Sequence, residues 1–171
     1  MRKNLVHLTR RYWFSASHRL HNPILPEGEN QQIYGKCNNP GGHGHNYFVE
    51  VTIAGPVDSR TGMVVNLAEL DEFTQTQILD RFDETSLNEL PNFESSVPTT
   101  ENLCVEIYRI FQAGWSQLPS ARQACLERVR LEETSSNFFE YRGEAPALRR
   151  LGPPPEGSGP QGGLGEPASH P

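Results

Sequence analysis

Hydrophobic positions alternate with polar or small ones near both ends of residues 1–143 and fall on helical stripes between. The runs Arg11-Tyr12-Trp13-Phe14-Ser15-Ala16-Ser17-His18 and Tyr47-Phe48-Val49-Glu50-Val51-Thr52-Ile53 are rich in aromatic and β-branched residues, which predicts strands over about 6–16 and 46–55. Asn66 is a suitable N-cap for a helix from Leu67 to about Arg81, with Leu67, Leu70, Phe73, Ile78 and Phe82 mostly on one stripe. A second helix is expected after Pro98, capped by Thr99 or Thr100 and running to about Leu118, with Val105, Ile107, Tyr108, Ile110 and Phe111 as its apolar face. Leu126-Glu127-Arg128-Val129-Arg130-Leu131-Glu132-Glu133 alternates strictly, and Phe138-Phe139-Glu140-Tyr141 is its expected hairpin partner across 134–137. The order strand, strand, helix, helix, strand, strand predicts an α+β layer: a four-stranded antiparallel sheet with two helices on one face.

Composition bounds this picture without identifying it. The 171 residues suffice for one domain with a real core. From Glu144 to Pro171 there are seven Pro and six Gly with few large apolar residues, so this stretch is expected to be a disordered tail. A net charge of −6 with no Lys/Arg cluster argues against a nucleic-acid partner. No apolar run is long enough for a membrane span or a signal peptide, and three widely spaced cysteines fit reduced thiols, so a cytoplasmic protein is expected. Cys104 and Cys125 are expected to be packing residues.

Chemistry concentrates in Gly35-Lys36-Cys37-Asn38-Asn39-Pro40-Gly41-Gly42-His43-Gly44-His45-Asn46-Tyr47. Residues two apart on a strand project from the same face, so His43 and His45 can aim at one point. The turn formers from Asn38 to Gly42 can fold Cys37 back towards them. His18 closes the preceding strand. Three imidazoles on adjacent strands would hold zinc at ~2.0–2.1 Å and leave a fourth position open, as in catalytic sites. The competing reading is a pair of ordinary turn histidines.

Five motifs in order, Phe14-Ser15-Ala16-Ser17-His18, Cys37-Asn38-Asn39-Pro40 with His43-Gly44-His45-Asn46-Tyr47, Gly62-Met63-Val64-Val65-Asn66-Leu67, Thr99-Thr100-Glu101-Asn102 and Glu133-Thr134, resemble the 6-pyruvoyl-tetrahydropterin synthase family. The resemblance spans about Arg11 to Gly143. It implies the tunnelling fold, in which subunits join their sheets into a β-barrel, usually a hexamer of two trimers. It also implies 7,8-dihydroneopterin triphosphate as substrate and one zinc ion per subunit on His18, His43 and His45. Zinc would act as a Lewis acid on the side-chain oxygens, making the neighbouring carbon-bound protons more acidic. A free cysteine thiol has a pKa of about 8.5 that a nearby cation or metal lowers, so Cys37 beside the zinc is the expected base; the alternative makes it a fourth zinc ligand.

The pterin's amino-pyrimidine edge presents N–H donors that a carboxylate accepts in pairs. Glu133 matches the family's pterin anchor, and Glu101 with Thr99 and Thr100 matches the segment completing the pocket. Each acid has a plainer explanation: Glu133 as a solvated strand end, Glu101 as a favourable first-turn charge on a helix. Arg19 and Lys36 are candidate cations for the triphosphate.

One position departs from the family pattern. An Asp-His pair is usual after the first helix, and here Asp83 is followed by Glu84. Imidazole both takes and gives a proton near pH 7, whereas an ordinary carboxylate stays ionised. The activity that the resemblance implies is triphosphate elimination giving 6-pyruvoyl-tetrahydropterin. The alternatives are the sister 6-carboxy-tetrahydropterin reaction, which releases acetaldehyde on the way to queuosine, and a zinc-containing pterin-binding protein with impaired turnover. The five residues between Cys37 and His43 favour the pyruvoyl type.

Overall fold

The structure is a computed structural model and describes residues 5–144; most of the segment read as a disordered tail therefore lies outside the described residues. Two fourteen-residue strands, β1 (Leu5–His18) and β2 (His43–Pro56), pair antiparallel along their whole length, from Leu5 opposite Pro56 to His18 opposite His43. β4 (Cys125–Thr134) pairs antiparallel with β2, and β5 (Asn137–Tyr141) pairs antiparallel with β4. On β4, Arg128 faces Thr52 and Leu126 faces Ile53, so Glu127 is bulged out.

The four expected antiparallel strands are thus present, and the sheet has a fifth. Thr85–Ser86 (β3) lies parallel to β1 opposite Ala16 and Ser17, giving a mixed, open sheet in the order β3-β1-β2-β4-β5. Two residues carry no period, which is why β3 is not legible as a strand. α1 (Glu27–Tyr34) was also unexpected: Glu-Gly-Glu-Asn-Gln-Gln-Ile-Tyr has no apolar stripe and buries only Asn30.

Asn66 caps α2 (Leu67–Thr74) by accepting the Ala68 N–H at 3.0 Å, as its side chain predicts. The predicted continuous helix to Arg81 is instead interrupted by a π turn over Gln75–Leu79 before the short α3 (Asp80–Phe82). Around that turn the Thr74 and Thr76 hydroxyls donate back to the carbonyls of Leu70 and Glu72, competing with the helical ladder. α4 (Thr100–Gly114) is capped by the Thr99 hydroxyl and stops at Gly114, short of Leu118. A 3₁₀ turn follows, and Pro119 disfavours helix at the residue before it.

α2, α3 and α4 cover one face of the sheet. Phe14, Tyr47, Val49, Val51, Ile53, Val129 and Leu131 meet Leu70, Phe73, Phe82, Leu103, Ile107 and Phe111 in a core excluded from solvent. The other face is open, with Trp13 61 % and Phe138 56 % exposed. Because the core alternates along β1 and β2, the helix-side face of the strand ends receives His18, His43 and His45 in line with Phe14, Ala16 and Tyr47.

Candidate metal centre and pocket

His18 is the last residue of β1, and its pairing partner His43 is the first of β2; His45 lies opposite Ala16. The three imidazoles stand edge to face, with ring centres 4.6, 5.1 and 4.7 Å apart. One ring nitrogen from each lies within 4.8 Å of the other two, so the histidines expected to converge do so. His18 Nε2 and His43 Nε2 are 3.1 Å apart, close to the ~3.3 Å between two nitrogens held at a tetrahedral ion.

His18, only 2 % exposed, is oriented by the Pro98 carbonyl 2.9 Å from its Nδ1. That carbonyl accepts the Nδ1–H and leaves Nε2 with its lone pair towards the cluster. Burial pushes the pKa of His18 and of His45 below the usual imidazole range, outweighing the carboxylate of Glu133 nearby. Both rings are therefore neutral at pH 7, the form that ligates a metal. Donor type, convergence and protonation fit a divalent ion of the zinc class.

Glu133, at the end of β4, reaches the same point. Its Oε1 accepts from the Thr100 hydroxyl at 2.5 Å and lies 3.7 Å from His45 Nε2 and 4.0 Å from His18 Nε2. Because the imidazoles are neutral, these close approaches are not ion pairs. Thr100, which is buried, and Glu133 thus meet, whereas Thr99 uses its hydroxyl to cap α4 and Glu101 is exposed in that helix's first turn.

Cys37 sits in a 3₁₀ turn, Gly35–Asn38, partly exposed, and is not among the converging donors. Its sulfur bears electrostatically on the Tyr47 phenol, which is fully buried and lies 3.5 Å from His18 Nδ1. Burial, with the Glu133 charge adding to it, raises the pKa of that phenol and keeps it protonated. Tyr47 is a site residue that the motif reading passed over; its place two residues after His45, on the same strand face, was the available signal.

Asp83 and Glu84 occupy the β3 edge of β1. Asp83 Oδ1 accepts the Ser15 N–H at 2.7 Å, and Glu84 donates its own N–H to the Ser15 carbonyl at 2.6 Å. Neither hydrogen-bonds to Cys37. Glu84 has φ +54°, the left-handed region, and lines an open cavity of about 380 Å³ with Ser15, Asn46 and Ser86. A second cavity of about 480 Å³ opens beside His18, lined also by His21, Gly42 and Asn88. Arg19, a candidate triphosphate cation, faces that cavity but hydrogen-bonds through its guanidinium to Asn38; Lys36 is exposed.

Of the other two thiols, Cys104 is buried and its pKa is pushed up to about 12 by that burial. Cys125 is exposed rather than packed, because it begins β4 at the rim of the sheet. Among the described residues no helix is long and apolar enough to cross a membrane.

The family model for 6-pyruvoyl tetrahydropterin synthase matches residues 7–144. The chain is 46% identical over 140 residues to the 6-pyruvoyl tetrahydrobiopterin synthase of Drosophila melanogaster, covering 81% of this chain and 80% of that one. It is 42% identical over 144 residues to that of Homo sapiens, covering 84% and 95%. The solved structure of Caenorhabditis elegans 6-pyruvoyl tetrahydropterin synthase superposes with a TM-score of 0.75 at 37% identity, covering 84% of this chain and 99% of the other.

Proposed function

The chain belongs to the 6-pyruvoyl tetrahydropterin synthase family, and from that premise we propose that it is a zinc-dependent lyase that eliminates triphosphate from 7,8-dihydroneopterin triphosphate to give 6-pyruvoyl-tetrahydropterin. The observation that carries this reading is the convergence of three imidazoles with Glu133 and Thr100 at one end of the sheet. In it, His18, His43 and His45 hold one zinc ion per subunit, which when bound supplies Lewis-acid polarisation of the substrate's side-chain oxygens. Glu133, steadied by the Thr100 hydroxyl, accepts the N–H donors of the pterin edge, with Glu101 and Thr99 completing that segment. Tyr47 keeps the floor of the site dry. Cys37 is the base that takes a carbon-bound proton, and Asp83 and Glu84 complete the proton-transfer set.

The assembly belonging to this reading is a homohexamer, a dimer of trimers whose sheets join into a barrel. The open sheet ends, β3 and β5, and the exposed Trp13 and Phe138 support it. Residues 1–143 form the synthase domain and 144–171 its appended tail. Three unpaired cysteines support a cytoplasmic setting.

A specific observation favours a second reading, a pterin-binding protein with impaired turnover: Glu84 stands where the family pattern has histidine, and neither it nor Asp83 hydrogen-bonds to Cys37. Incubation of the zinc-loaded protein with 7,8-dihydroneopterin triphosphate, with product identification by mass spectrometry, separates the possibilities. Pyruvoyl product supports the first reading, acetaldehyde release identifies the 6-carboxy reaction, and binding without turnover the second reading. Protein purified without stoichiometric zinc would overturn the metal assignment.

A further inference from the structure

The thiol of the proposed site is carried by a turn, not by the sheet that fixes the histidines. The Cys37 carbonyl accepts the Leu20 N–H at 2.8 Å, two residues beyond His18. The next residue, Asn38, is 1 % exposed. Its side-chain oxygen accepts from Arg19 Nη2 at 3.2 Å and from His21 Nδ1 at 2.9 Å, and its amide nitrogen donates to Glu27 Oε1 at 3.1 Å. Its backbone carbonyl accepts from Arg19 Nε at 3.0 Å. One guanidinium therefore grips Asn38 at two atoms, from the residue immediately after His18.

A planar fork holding two oxygens of one residue constrains direction as well as distance. The far side of the same amide is closed by Glu27, whose side chain is 71% exposed and lines neither cavity beside the site. A buried amide with each of its groups partnered is costly to displace. We infer that Arg19, Asn38 and Glu27 form a clamp that fixes the Cys37 thiol relative to His18, and that Arg19 is a positioning residue for that thiol rather than a ligand for the triphosphate. What the thiol does rests on the proposed synthase reading; where it is held does not.

The test uses full-length zinc-loaded protein carrying Arg19→Ala, Arg19→Lys, Glu27→Ala or Glu27→Gln. Turnover of 7,8-dihydroneopterin triphosphate is measured beside peptide-resolved alkylation by iodoacetamide, with Cys125 as internal reference. Misplacing a reacting group by about 1 Å costs on the order of 10²-fold, so Arg19→Ala is expected to lower kcat by about 10- to 100-fold. KM should stay within about twofold, because no substrate contact is removed. The Cys37 alkylation rate should change relative to Cys125 while zinc content holds. Arg19→Lys should fall between wild type and Arg19→Ala. Glu27→Ala should move kcat and alkylation in the same direction, and Glu27→Gln, which keeps the acceptor, should restore both.

A raised KM with unchanged kcat and unchanged Cys37 alkylation would assign Arg19 to the triphosphate and overturn the clamp. Zinc lost in step with kcat, or Glu27→Ala without effect on alkylation, would overturn it too. Should Arg19→Ala fail to fold, Arg19→Lys and the Glu27 pair decide the question. If wild type does not turn over, the synthase reading fails, while the alkylation series still decides the clamp.

Discussion

Replacing Glu133 by Gln changes one charge and almost no volume. The carboxylate is held by Thr100 at 2.5 Å, its side chain is 15% exposed, and it lies 3.7 Å from a neutral imidazole. In the proposed complex it accepts two N–H bonds from the pterin edge, each worth about 1.5–3 kcal/mol when the acceptor is charged. Gln keeps one acceptor and turns an NH₂ towards the second donor, so one bond is lost and the other weakened. The expected cost is about 2–4 kcal/mol, or roughly 30- to 10³-fold in kcat/KM at about 1.4 kcal/mol per decade. Steady-state turnover and calorimetric pterin affinity should both report it. Zinc content should not move, since the converging donors are the three imidazoles and Glu133 is not among them. Kinetics within about threefold of wild type would refute the anchoring role, because among the described residues no other carboxylate is hydrogen-bonded at the cluster.

Other consequences can be checked separately. His43→Ala should abolish stoichiometric zinc by elemental analysis while leaving the far-ultraviolet circular dichroism intact, because β1–β2 pairing does not use that side chain. Burial lowers the His18 and His45 pKa values, so below about 6.5 the unfolded chain binds protons that the metal-free fold resists; stability is present above that pH and is lost as pH falls towards the folded values. The urea midpoint of metal-free protein should therefore be lower at pH 5 than at pH 7.5, and the reverse order would refute it. Gly42→Ala places a Cβ 2.9 Å from the His18 carbonyl at φ +63°, so Tm and zinc retention should both fall. Glu84→His should raise kcat if the proton relay is impaired, and should not lower Tm, since histidine tolerates left-handed backbone better than most residues.

Legibility in the sequence followed period and chemistry. β1, β2, β4 and β5 were readable because alternation is a long-range signal carried by many residues at once. The His18, His43 and His45 set was readable because an i, i+2 pair on a strand has one geometric meaning. β3 has two residues, and α1 buries only Asn30, so neither leaves a pattern. The π turn and the end of α4 at Gly114 depend on hydroxyl back-bonding and on Pro119, which act locally and shift boundaries without changing the stripe. The Pro98 carbonyl that orients His18 is a backbone atom, and no side-chain pattern announces it. Arg19 is legible in the sequence only as a charge, and no pattern announces its two hydrogen bonds to Asn38.

These differences sort the site by how each part is held. The imidazoles are fixed by a fourteen-residue antiparallel register, so moving one without the others would require slipping β1 against β2 and turning every core residue outward. Glu133 is fixed by β4 and by Thr100 at the start of α4, which lies behind it. Cys37 has no sheet partner and is held by one backbone bond from Leu20 and by the side-chain bonds of the neighbouring Asn38, so its position can be tuned without disturbing the metal ligands. Asp83 and Glu84 lie further out, at a strand edge, where Asp83 accepts the Ser15 N–H through its carboxylate and Glu84 donates its own N–H to the Ser15 carbonyl. Glu84 pairs through its N–H alone, so exchanging its side chain leaves that bond in place. The departure from the family pattern therefore falls where the fold constrains chemistry least, and its cost should appear in the rate of proton transfer, not in metal content or stability. Zinc binding and pterin affinity at the wild-type level in both Glu84 and Glu84→His proteins, with kcat alone responding, is the outcome this arrangement requires.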